Sequence, residues 1–384
     1  LWRLDGFALG DAARAMHDRT MSPRPWQVFR WSLIPLALAL SLLPPPPVLA
    51  DPPPSDGSSR AAAGEALFLK YCALCHGATA QGYAADNAPS LVTPQWLSSA
   101  DDAFIVNSIA LGRPDTAMAA YAKQAGGPLS DQEIDDVVAF LRSRGPAYVA
   151  PQPHAPGSAR KGAAIYSSSC ASCHGDRSRR ADAIHLANQT FLGLASDAFL
   201  YDGIARGRDG TPMKAYAGEL DPEEIADVVA YLRSWSSGPP PALVRPRGGA
   251  AEGPMVVNPD GAAPEFTLRD QTYVPVDEVK RALDEGRRMI LVDARVPSDW
   301  ERERITGAIS VPYYETAAVD RIPNDGTWVI AYCACPHHAS GEVVTALRRR
   351  GYPHTAVLDE GVLVWKQRSY PMSGAAVASS AAAQ

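Results

Sequence analysis

Cys72-Ala73-Leu74-Cys75-His76 and, further along, Cys170-Ala171-Ser172-Cys173-His174 are the two stretches on which the fold of this chain turns. With 6 cysteines and 8 histidines in 384 residues, chance supplies on the order of 0.002 Cys-x-x-Cys-His matches, so the pair is no coincidence. Outward from the motif the sequence repeats. Gly64, Cys72, Cys75, His76 and Gly77 return 98 positions later as Gly162, Cys170, Cys173, His174 and Gly175. Leu129, Ile134, Val137, Val138 and Leu141 return 91 positions later as Leu220, Ile225, Val228, Val229 and Leu232. A recurrence of this kind marks a tandem duplicated domain.

Each copy closes on a well-signalled helix. Ser130 with Glu133, and Asp221-Pro222 with Glu224, are N-terminal capping patterns. Ile134, Val137, Val138 and Leu141, and Ile225, Val228, Val229 and Leu232, recur at i, i+3, i+4 and i+7, so each set lines one buried face. The Cys-x-x-Cys-His motif has three chemical readings. A thioredoxin-like dithiol wants a preceding strand that the pattern does not offer, and a single zinc wants four ligands where each copy supplies three. Covalent haem suits the spacing: two thiols one helical turn apart each form a thioether, and the adjacent imidazole is carried to the iron. A large apolar macrocycle would also supply much of the core of so small a domain.

On these residues both copies resemble class I cytochrome c domains, over 57–146 and 157–237. The resemblance implies an all-helical fold around one haem per copy, two covalently attached haem c groups in all. Cys72, Cys75, Cys170 and Cys173 would hold them, with His76 and His174 as axial ligands. Met118, after Leu111-Gly112-Arg113, and Met213, after Arg206-Gly207-Arg208, stand as the second axial ligands. His154 and His185 are the rival ligands. A thioether on iron favours the ferrous state and closes the open coordination position, which points to electron transfer. Ala88-Pro89-Ser90-Leu91 resembles the segment whose proline carbonyl orients the haem histidine in this family. Around Ala187-Asn188-Gln189 the second copy shows no counterpart, so the two haems are expected to differ in potential.

From about Gln271 the pattern changes. Met289–Ala294, Thr327–Cys333 and Thr355–Leu358 read as strands and Ser340–Arg350 as an amphipathic helix, a parallel α/β arrangement. Cys333 ends a strand just before a helix N-terminus, where a thiolate or persulfide is expected to be stabilised. Leu291-Val292-Asp293-Ala294-Arg295, Trp300, Ile305-Thr306-Gly307-Ala308-Ile309 and Val357-Leu358-Asp359-Glu360-Gly361 make residues 271–375 similar to a single rhodanese domain. The resemblance puts the sulfur-carrying nucleophile at Cys333. The family's loop Cys-x-x-Gly-x-Arg is here Cys333-Ala334-Cys335-Pro336-His337-His338, without its glycine and arginine, and Arg304 replaces a usual histidine. His338 is left as the cation for an anionic donor, weaker than arginine. Three readings stay open: a persulfide on Cys333 with Cys335 resolving it, a soft-metal site of two thiols and two histidines, and an inactive docking domain.

The 384 residues suffice for two to four domains, and 46% apolar with 20% charged residues is ordinary for a folded soluble chain. A net charge of −6 excludes the basic face of a nucleic-acid binder. Proline-rich stretches separate the copies and form a connector over 238–270. Residues 21–50 read as a signal peptide: Arg24 and Arg30, an apolar run from Trp31 to Leu43 too short to span a bilayer, and Val48-Leu49-Ala50 as a cleavage site. The expectation is a periplasmic protein with no membrane span in its mature chain. It would exchange electrons with redox partner proteins while its rhodanese-like domain handles a reduced-sulfur substrate. The rival expectation is a plain electron carrier whose third domain only binds.

Overall fold

A computed structural model describes residues 57–240, 242, 253–335 and 337–377. The expected signal peptide at 21–50 lies outside the described residues, as do Pro336 and 243–252 of the expected connector.

The first copy is built from helices α1 (Gly57–Tyr71), α2 (Ala73–His76), α3 (Pro94–Ser99), α4 (Asp102–Leu111) and α5 (Asp131–Arg142). The second repeats them as α6 (Ala159–Ser169), α7 (Ala171–His174), α8 (Gln189–Leu194), α9 (Asp197–Arg206) and α10 (Pro222–Arg233). Both capping patterns form in full, with Ser130 and Glu133, and Asp221 and Glu224, exchanging side-chain and backbone hydrogen bonds. A cap of this kind is worth about 1 kcal/mol. The first and last helices of each copy cross at a glycine. A Cβ on Gly64 would sit 1.8 Å from the Asp136 carbonyl oxygen, and one on Gly162 would sit 1.9 Å from that of Asp227. Only glycine lets the two backbones approach so closely.

The two copies pack on each other through reciprocal contacts: α3 meets α9, and α4 meets α8. Phe104 and Phe199, at equivalent places in the repeat, stack with ring centroids 4.7 Å apart. The contact is therefore self-complementary, as in a twofold dimer, and one apolar core runs through both copies.

The third domain carries a five-stranded parallel sheet in the order β1 (Tyr273–Val274), β6 (Thr355–Leu358), β5 (Trp328–Tyr332), β2 (Met289–Asp293), β4 (Ile309–Ser310). Helices α11 (Val276–Asp284), α12 (Pro297–Arg302), α13 (His338–Arg349) and α14 (Gly361–Gln367) connect it, and β3 (Arg304–Ile305) pairs antiparallel with β7 (Met372–Ser373). Strand β2 is buried along its whole length, as the continuous apolar run demands when both faces of a sheet are covered. Cys333 follows β5 at the carboxyl edge of the sheet, where α/β folds hold their ligands.

The sequence-derived boundary at 270–271 needs one correction. Val257 exchanges backbone hydrogen bonds with Met289, and Phe266 stacks edge-on against Trp328 at 5.1 Å. Residues 253–270 are thus part of the third domain's packing, tethered by apolar anchors that the proline count hides. Among the described residues no helix is long and apolar enough to cross a membrane.

Candidate functional site

Cys72 precedes the single turn of α2, and the His76 amide bonds back to its carbonyl at 2.9 Å. That turn sets both thiols and the imidazole on one short rigid element. His76 is buried, and its Nδ1 lies 2.9 Å from the Pro89 carbonyl oxygen. Burial holds the His76 pKa below the usual value, against the opposing pull of that carbonyl. A neutral ring donating from Nδ1 presents Nε2 to a metal. Met118 belongs to a tight loop: the Arg113 amide donates to the Met118 carbonyl at 2.7 Å, and the Thr116 hydroxyl accepts from the Met118 amide at 3.1 Å. Three residues on, the Tyr121 hydroxyl donates to the Tyr71 carbonyl at 3.1 Å, tying the methionine loop to the residue before Cys72.

The second copy repeats this frame atom for atom. Arg208 bonds the Met213 carbonyl at 2.8 Å, Thr211 accepts from the Met213 amide at 3.2 Å, and Tyr216 donates to the Ser169 carbonyl at 2.9 Å. His174 Nδ1 lies 3.0 Å from the Ile184 carbonyl oxygen. Although the second copy shows no counterpart of the Ala88-Pro89-Ser90-Leu91 segment, its histidine has a partner of the same kind. The partner is a backbone carbonyl, which any residue can supply, so the missing proline motif carried no information about it. The rival ligands are engaged elsewhere: His185 Nε2 lies 3.1 Å from the Asp176 carbonyl, and His154 stacks on Tyr201 at 4.7 Å. Tyr121 and Tyr216 are the residues that sequence reading passed over. Their common spacing of three from each methionine was the signal.

The four motif cysteines form no disulfide with one another. With one nitrogen of each histidine held and a methionine loop laced to each motif, the residues fit covalent haem. Among the described residues no group of three His, Cys, Asp or Glu side chains converges as a protein-only metal site requires.

In the third domain Cys333 and Cys335 are 1% and 4% exposed, with their sulfurs 3.5 Å apart. The Cys333 thiol also contacts the Cys335 carbonyl oxygen and lies 3.3 Å from the Ser340 hydroxyl. Burial pushes the Cys333 thiol well above its ordinary pKa, and only Ser340 pulls it down. The expected thiolate stabilisation at the helix start is thus corrected: loss of water outweighs the amides of α13. His338, expected as the cation, stands exposed on the first turn of α13. It is His337, with φ +75°, that turns to Asp359, its Nε2 2.7 Å from the carboxylate. Arg304 is buried, donates to the Trp300 carbonyl at 3.0 Å and lies over the Trp300 ring.

This domain docks on the first copy. Tyr313 hydrogen-bonds the Tyr71 carbonyl and the Tyr121 hydroxyl, the latter at 3.1 Å, and Tyr314 packs edge-on against Tyr71 at 4.7 Å. Ser298 donates to the Ala120 carbonyl at 2.6 Å, and Lys366 pairs with Asp115 at 2.7 Å. Leu74 and Ala117 pack into the apolar cluster that contains Cys333 and Cys335. Leu74, between the two thiols of the first motif, thus brings that motif against the cluster of the third domain's cysteines. The corresponding Cys173 of the second copy is exposed.

Comparison with known proteins agrees with this division. The cytochrome c family model matches residues 61–145, that for cytochrome C oxidase, cbb3-type, subunit III matches 157–232, and the rhodanese-like domain matches 275–368. The cbb3-type cytochrome c oxidase subunit CcoP of Azospirillum sp. (strain B510) is 31% identical over 196 residues, covering 46% of this chain and 62% of its own. Subunit FixP of Bradyrhizobium sp. (strain ORS 278) is 31% identical over 188 residues, 46% of this chain and 61% of its own. The chain thus spans less than two thirds of these relatives. The solution structure of a rhodanese-like domain from an Anabaena sp. protein is 22% identical, covers 27% of this chain and 80% of that one, and has a TM-score of 0.26.

Proposed function

From two cytochrome c domains followed by a rhodanese-like domain, which this chain carries, we propose an exported, periplasmic dihaem electron carrier that takes electrons from reduced sulfur. Cytochrome c domains imply covalently bound haem c and electron transfer. The finer reading is one haem in each domain, held by Cys72, Cys75, His76 and Met118 in the first and by Cys170, Cys173, His174 and Met213 in the second. Bound there, haem supplies one-electron transfer with both axial positions taken. The chain's own part is to fix the ligands: Pro89 and Ile184 hold the imidazoles through Nδ1, and Tyr121 and Tyr216 hold the methionine loops. The domains are assigned to 57–146, 157–237 and 271–375, the last with its packed lead-in from 253.

The rhodanese-like domain would carry sulfur as a persulfide on Cys333. The single observation behind the coupling is the packing of Leu74, between Cys72 and Cys75, into the cluster that holds Cys333 and Cys335, which sets the sulfur loop's domain against the first motif. A fixed contact of this kind replaces diffusional encounter with an intramolecular step. Electrons would then leave to a redox partner protein at the second domain, where Cys173 is exposed. The relatives' names as oxidase subunits favour a respiratory acceptor.

Rapid mixing of the ferric holoprotein with sulfide, without oxygen, tests the reading. Haem absorbance should pass to the ferrous form in wild type and not in Cys333→Ser. Haems that stay ferric in wild type overturn the coupling. A second reading, a plain carrier with an inactive docking domain, is favoured by the buried thiols and the loop without arginine. It is supported if a generic reductant reduces both haems while Cys333→Ser changes nothing.

A further inference from the structure

Cysteines of two domains are brought near each other: the sulfurs of Cys333 and Cys335 lie 3.5 Å apart, and Leu74, between Cys72 and Cys75, packs into the cluster that holds both. Buried cysteines are by default small apolar filler. Filler does not explain why two cysteines with sulfurs in contact stand in the cluster against which the first motif packs. The arrangement is fixed from both sides. Cys333 is held by Ser340 and by the Cys335 carbonyl. Tyr313 and Ser298 hold the first copy against the loop.

We propose that Cys333 and Cys335 are a redox dithiol, oxidised to a disulfide by the two haems and reopened by hydrosulfide to leave the persulfide on Cys333. The proposal deepens the function proposed above and rests on it. In the first step the two thiols lose two protons and two electrons and form one S–S bond. Two ferric haems would take one electron each, one held by the copy that meets the third domain and one by the second copy, which packs on the first through Phe104 and Phe199. The sulfurs need to close from 3.5 Å to about 2.05 Å, a side-chain rotation. In the second step hydrosulfide attacks Cys333 Sγ, the S–S bond breaks, and Cys335 leaves as a thiolate that takes up a proton. The sum is one thiol and one hydrosulfide converted to one persulfide, one proton and two electrons.

The substrate class follows from the chemistry of the loop. Both thiols are almost wholly buried, and the loop lacks the arginine that would bind an oxyanion. Arg304 is occupied by the Trp300 carbonyl and ring. A monatomic sulfur nucleophile meets these limits better than thiosulfate, whose charged oxygens would have to be desolvated without a partner.

The test uses the full-length holoprotein. With its thiols reduced and oxygen excluded, the haems are oxidised by substoichiometric steps of a one-electron acceptor, free thiols are alkylated, and peptides are weighed. The expected product is a Cys333–Cys335 peptide two hydrogens lighter and unalkylated. Added sulfide should convert it to one alkylated Cys335 and a Cys333 one sulfur heavier. Full alkylation of both residues after haem oxidation overturns the proposal, as does a disulfide that sulfide leaves intact. Cys335→Ser, with an unchanged haem spectrum as the check on folding, should slow haem reduction by sulfide about 100-fold, the low end of an intramolecular advantage. An unchanged rate in that variant, with Cys333 still gaining sulfur, overturns the dithiol and spares the parent reading. Wild-type haems that sulfide does not reduce overturn the parent reading itself.

Discussion

The two cytochrome copies share their internal frame and differ in their cover. In each, the histidine bonds a backbone carbonyl, the methionine loop closes on a threonine, and a tyrosine pins that loop to the residue before the first cysteine. Yet His76 is buried and Cys75 half-buried, whereas His174 is half-buried and Cys173 exposed. The frame is what ligand geometry requires, so both copies keep it. The cover sets the dielectric and access around each site, and there the copies have parted, because only the first is docked on the third domain.

The comparison is sharpened most strongly at the shared helix crossing. Gly64→Ala and Gly162→Ala each force a methyl group onto a carbonyl oxygen, and overpacking of that kind costs about 3 kcal/mol. Denaturant melts of the two variants should show equal losses. A loss in only one would break the claim of a common frame. Next come the tyrosines. Tyr121→Phe strips partners from the Tyr71 carbonyl and the Tyr313 hydroxyl in a buried place and should cost about 2 kcal/mol, against about 1 kcal/mol for the half-buried Tyr216→Phe. Displacement of each methionine by added imidazole, followed optically, reports the same ranking.

Tyr313→Phe tests the cover alone. It should move the potential of one haem by about 59 mV, the one-electron equivalent of a tenfold change, and leave the other fixed. Equal shifts at both haems, read by spectroelectrochemistry, would contradict a cover confined to the first copy. The smallest effect is at Asp115→Asn, which removes an exposed tether to Lys366 worth under about 1 kcal/mol. Although partial burial pushes it up, the Lys366 bond and charge leave Asp115 below the usual carboxylate value. A depressed acid stabilises docking above its ordinary pKa and loses that contribution as pH falls through the lower folded value. The wild type should therefore converge on Asp115→Asn in thermal stability only in strongly acidic buffer.

Much of this was legible because it is local. Caps, helix faces and the Cys-x-x-Cys-His turns are written within a few residues, and the strands at Met289, Trp328 and Thr355 were found from their apolar runs. What escaped was whatever the backbone or distant chain supplies. Ile184 serves through its carbonyl, which leaves no mark on residue type. Tyr313 meets Tyr121 across 192 positions. At the sulfur loop, the left-handed residue His337 turns to Asp359 while His338 stands exposed, and burial pushes the Cys333 thiol up, which no motif encodes.

The reciprocal contact of α3 with α9 and α4 with α8 is the join that two separate identical chains would make. Carried on one polypeptide, the halves need not stay alike. One half lends its socket to a tenant supplied by the same chain, which gives a pseudo-symmetric pair a front and a back.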